Sequence, residues 1–107
     1  MGLPLGKVKN DLEAIVNWES YDENIQMFWI SLTGTANEAK KYEYTLKLRN
    51  KDGTEVIAFK KTECLSFDMS SDDVKKKATA LFLTRDDVKQ AETDEKKLWW
   101  KVLIKKK

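Results

Sequence analysis

Residues 28–48, FWISLTGTANEAKKYEYTLKL, constrain this chain more than any other stretch. Tyr42, Tyr44, Leu46 and Leu48 alternate with Glu43, Thr45, Lys47 and Arg49. A period of two is that of a strand with one face buried and one face wet. The aromatic and apolar run from Phe28 to Leu32 reads as a second strand. Between the two, Gly34 ends the first run at a residue free to take positive φ, and Thr35 or Asn37 is placed to cap one helical turn over residues 36–41. Taken alone, the unit says soluble β-rich domain.

The same grammar extends in both directions. Leu12, Ala14, Val16 and Trp18 alternate with Glu13, Ile15, Asn17 and Glu19, which predicts a strand over residues 11–19. The turn chemistry of Tyr21-Asp22-Glu23-Asn24 joins it to a strand over 25–32 as a hairpin. Asp52-Gly53 is a tight-hairpin signal, since both central turn residues tolerate positive φ, and it predicts a returning strand over 55–61. A further extended run over 62–69 sets Cys64, Ser66 and Asp68 opposite Leu65, Phe67 and Met69. Short helices are predicted where serine or threonine precedes acids and then bases, at residues 70–77 and 84–91, with Asp87 three residues after Thr84 in the position of a capping box. Leu81, Phe82 and Leu83 form a short strand between them. In the last strand, 98–105, Leu98, Trp100, Val102 and Ile104 face inward, while Trp99, Lys101, Leu103 and Lys105 share the other face. Residues 1–10 hold two glycines and the only proline and show no periodicity, so they read as a flexible lead without function. The domain then covers residues 11–107, an antiparallel β-sandwich or open barrel of about seven strands with two or three short helices.

Composition narrows the function. With 41% apolar and 36% charged residues in 107, the chain is an ordinary globular mixture, and no apolar run approaches the roughly 20 residues that span a bilayer. The single cysteine, Cys64, rules out an internal disulfide and points to a reducing compartment, cytoplasm or nucleus. No histidine is present, so the usual zinc sites have neither thiolate clusters nor imidazoles. No cofactor is expected. Twenty basic against eighteen acidic residues leave a net charge of +2, too little field on the whole molecule to favour nucleic acid or an anionic membrane.

The order of an aromatic pair, an apolar strand, L-x-G-T, a polar stretch with an alanine and then Y-x-Y-x-L-x-L is carried by Phe28, Trp29, Leu32, Gly34, Thr35, Ala39, Tyr42, Tyr44, Leu46 and Leu48. It resembles the C-terminal half of the seven-in-absentia (SINA) type TRAF-like domain, the substrate-binding part of a group of RING ubiquitin ligases, and runs over roughly residues 12–105. The resemblance implies a non-enzymatic module that recognises an extended peptide by adding it to a sheet edge. It also implies dimerisation through this domain. Ligase activity would need a RING, with its Cys/His clusters, and this chain has none.

No constellation of residues amounts to an active site. Cys64 and the serines lack a histidine base, and neither G-x-S-x-G nor a P-loop occurs. The pairs Asp72/Asp73 and Asp86/Asp87 sit at helix starts, where acids favour the dipole without any ligand. Of the four tryptophans, Trp18, Trp29 and Trp100 fall to core duty. Trp99 lies on the face shared with lysines. Trp99, Lys101, Leu103 and Lys97 are therefore the candidate partner-binding residues, for a protein or peptide first. The rival readings are a basic, aromatic nucleic-acid-binding β-domain and a structural β-protein with no ligand.

Overall fold

The computed structural model describes residues 2–9, 12–77, 79–95 and 98–107, and of residues 9, 77 and 99 the backbone alone. Among them the order of elements is β1 (Gly2–Lys9), β2 (Leu12–Ser20), β3 (Ile25–Leu32), α1 (Ala36–Ala39), β4 (Tyr42–Arg49), β5 (Val56–Glu63), β6 (Leu65–Ser66), α2 (Ser71–Lys77), β7 (Leu81–Thr84), α3 (Arg85–Ala91) and β8 (Trp99–Lys106). One sheet runs β1-β2-β3, with β7 and β6 sharing the far side of β3. The other runs β5-β4-β8. Pairing is antiparallel except for the two residues of β6. The alternation in the sequence thus builds the expected mainly β, two-sheet fold with three short helices.

β4 is the centre of its sheet and shows why period two works there. Tyr44, Leu46 and Leu48 are wholly buried, while Glu43, Thr45, Lys47 and Arg49 stay half-exposed on the opposite face. Facing them from the first sheet are the cross-strand pairs Ala14 with Leu32, Val16 with Ile30 and Trp18 with Phe28. β3, central in that sheet, is buried on both faces from Met27 to Leu32, which is why its sequence is a continuous apolar run rather than an alternation. Two helix starts form as the sequence predicts. Thr35 with Glu38, and Thr84 with Asp87, each make a reciprocal capping box.

Four local expectations are corrected. Residues 2–9 are not a lead but strand β1, paired with β2. An edge strand is held by backbone hydrogen bonds, so it needs no alternating side chains to pair, and Leu3 and Leu5 remain exposed. The Asp52-Gly53 turn is longer than a two-residue hairpin. Asn50 N–H donates to Glu55 C=O (2.9 Å), Gly53 N–H donates to Asn50 C=O (2.9 Å) with Gly53 at φ 73°, and Asn50 Oδ1 accepts from the amides of Thr54 and Glu55. The asparagine side chain organises a wider loop. The run 62–69 is not one strand: β5 continues to Glu63, and the chain then changes sheet at Cys64 so that Leu65–Ser66 pairs with Ser31–Leu32. Gly34, finally, does not take positive φ, which only Gly6 and Gly53 do among the glycines described. Its lack of a Cβ serves close approach, since a Cβ there would lie 2.5 Å from Leu12 Cδ2 and 3.2 Å from Glu38 Cβ.

Candidate interaction surface

β8 pairs with β4 without a register shift, from Tyr42 opposite Lys106 to Arg49 opposite Trp99. β5 pairs along the other side of β4. The outer face of this sheet is consequently a grid of cross-strand rows. Glu63, Glu43 and Lys105 form the first row, Lys61, Thr45 and Leu103 the second, Phe59, Lys47 and Lys101 the third, and Val56, Arg49 and Trp99 the fourth. Phe59 (53% exposed) and Leu103 (55%) both stand open to solvent.

Of the candidates drawn from the sequence, Lys101 and Leu103 lie on this face and are exposed. Trp99 is placed there by its backbone register, and its side chain lies outside the described residues, as does all of Lys97. Phe59, Lys47, Arg49 and Lys61 were not among the candidates. They join the face only because β4 and β5 pair beside β8, and the one signal in the sequence, for Lys47 and Arg49 alone, is the polar half of the β4 alternation, which reads equally well as a solvated face.

Charge divides the face into two ends. Glu43 Oε1 lies 3.8 Å from Lys61 Nζ and 3.7 Å from Lys105 Nζ, and Lys107 Nζ lies 3.0 Å from Glu63 Oε2. At the other end, Lys47, Arg49 and Lys101 have no carboxylate at ion-pair distance among the described residues. Lys47 and Lys101 stand directly opposite each other across the β4/β8 ladder. Like charges so placed destabilise a sheet.

Two concavities border β8. A groove of about 450 Å³ runs between the edges of the two sheets, lined by Leu5, Gly6, Lys7 and Val8 of β1, Ala14 of β2, and Val102 and Ile104 of β8. Beyond it a cleft of about 790 Å³ is walled by Trp18, Phe28, Leu98, Trp100 and Val88, with Arg85 at its margin. The Phe28 and Trp100 rings meet there at 5.0 Å, tilted by 51°. Arg85 donates to Glu23 C=O at 2.8 Å. Trp18 and Trp100, assigned to the core from the sequence, are thus half-buried cleft walls, while Trp29 is a core residue at 6% exposure.

Burial raises the Cys64 thiol to about 12, opposed by Lys107 and reinforced by Glu43 and Glu63, so it stays protonated. Among the described residues no three His, Cys, Asp or Glu side chains converge as a metal site would need, and no helix is long and apolar enough to cross a membrane. Comparison with protein-family models, curated proteins and solved structures gave no match.

Proposed function

We propose that the chain is a non-catalytic recognition module that takes an extended segment of a partner protein along β8. The observation that carries this reading is the character of that edge. β1 ends its sheet with two register shifts, a proline and a glycine at φ 128°, and β5 has a register shift and sets Lys60 on the row of the buried Leu46, all devices that blunt an edge. β8 is regular over eight residues, with no register shift, proline or glycine, and its one lysine on an inward row, Lys106 opposite the buried Tyr42, stands at the very end of the strand. Beside it lies a groove walled by Val102, Ile104, Leu5 and Val8, with Lys7 also in its lining, and these apolar side chains suit the inward side chains of an added strand. Backbone hydrogen bonds would supply affinity, and alternate side chains choice.

The resemblance to the SINA-type substrate-binding domain supports the same reading and makes a ubiquitin-ligase pathway, in cytoplasm or nucleus, its expected setting. Two copies of β8 paired antiparallel about Leu103 would oppose Lys101 to Lys105, so we assign this edge to a foreign segment and any homodimer to another surface. The test is a titration of backbone-amide NMR shifts with a library of extended peptides. Shifts confined to β8 and to Leu5, Val8 and Ala14 are expected. A response centred on β5 or the α3 end of the molecule, or none with any peptide, would refute the assignment.

A further inference from the structure

We infer that the unpaired end of the outer sheet face, Lys47, Arg49 and Lys101 with Phe59, is a binding site for a short stretch of single-stranded nucleic acid. The net charge of +2 hides this site because charge is sorted by position rather than by amount. Five cations, Lys47, Arg49, Lys61, Lys101 and Lys105, share one three-stranded face with Glu43 and Glu63. Both carboxylates are engaged at one end, by Lys61, Lys105 and Lys107. The opposite end keeps its positive charge.

The arrangement there is costly for the fold alone. Lys47 and Lys101 are direct cross-strand neighbours, with Cβ atoms about 5 Å apart in such pairs, and Arg49 follows about 7 Å along β4. An anion seated between the two lysines converts their repulsion into two attractions. Phe59 occupies the same row on the other flank of Lys47 and shows half its surface to solvent. Phosphate contacts and an aromatic face on which a base can stack are the two components of sequence-tolerant single-strand binding. An acidic peptide would neutralise the lysines but leave Phe59 in water. A flat anionic bilayer would press on the whole face, Glu43 and Glu63 included. A strand of two or three nucleotides can lie across the third and fourth rows alone.

The experiment is fluorescence anisotropy of a labelled oligothymidylate of about ten nucleotides against the full chain, with salt raised from about 50 to about 200 mM. Three phosphate contacts predict a slope of log affinity on log salt of about −2, and low-salt dissociation constants of about 1 to about 100 μM. Phe59→Ala should weaken binding at least about five-fold, the loss of one stacked base. Lys101→Glu should abolish binding and at the same time raise the thermal midpoint, because Lys47 then faces an opposite charge, whereas a merely structural lysine would lower it. Lys106→Gln with Lys107→Gln should change affinity little. The inference is overturned by absence of binding at low salt, by binding that survives Lys47→Glu with Lys101→Glu, or by stronger binding to polyglutamate or to phosphatidylserine vesicles than to the oligonucleotide.

Discussion

The hydroxyl of Tyr44, in the middle of β4, donates a hydrogen bond to the carbonyl of Thr79, which lies between α2 and β7. The bond crosses the core. It ties the centre of one sheet to the segment that leads into β7 of the other, and Tyr44 itself is wholly buried. Tyr44→Phe keeps the ring and deprives Thr79 of this donor, which should cost about 1 to about 3 kcal/mol. Urea denaturation with an unchanged m-value is the check.

Alkaline pH should weaken the fold through two buried groups. Burial raises Tyr44 well above the ordinary phenol range, with Cys64 adding to the effect, and pushes Cys64 up to about 12 from a usual 9.0. Above pH 9 the unfolded chain gives up the thiol proton while the native chain keeps it, so the unfolded state is favoured. The stability is fully present below pH 9 and falls as pH rises toward about 12, by on the order of 1 kcal/mol per pH unit, with Tyr44 acting in the same direction from pH 10. Cys64→Ala should lessen the loss between pH 9 and about 11, which denaturant titrations at several pH values will measure.

The same thiol should be chemically quiet. Cys64 is 2% exposed and protonated at neutral pH, so a disulfide reagent such as dithionitrobenzoate should react with it only through unfolding. The rate should track denaturant-dependent opening. A rate near that of a free thiol at neutral pH would contradict this.

Gly34→Ala should destabilise by about 1 to about 3 kcal/mol, because the new methyl would meet Leu12 Cδ2 at 2.5 Å and Leu12 is itself buried. Thermal melts of this variant beside Gly53→Ala would separate two uses of glycine. The first fails on crowding and the second on its positive φ.

Thr84→Ala removes one half of the box that opens α3 and should cost about 1 kcal/mol. Asp87→Asn keeps an acceptor but removes the charge at the helix start, and should cost less. A larger loss for Asp87→Asn than for Thr84→Ala in chemical denaturation would argue that charge rather than the threonine oxygen holds this end.

Period-two patterning settled much of the molecule in advance. β2, β4 and β8 by their alternation, β3 by its continuous apolar run, the inward sets Tyr42 to Leu48 and Trp100 to Ile104, and both capped helix starts follow from neighbours a few residues apart, where side-chain patterning and local hydrogen bonds act. What depends on distant partners did not. β1 is a strand because β2 offers it a backbone edge, Cys64 is buried because the chain changes sheet there, and Gly34 matters because Leu12 packs beside it. The surface divides the same way. Lys101 and Leu103 could be picked from the alternation of one strand, but the row that sets Phe59, Lys47 and Lys101 side by side exists only once β5, β4 and β8 have paired, since register is a property of strands together and not of any one of them.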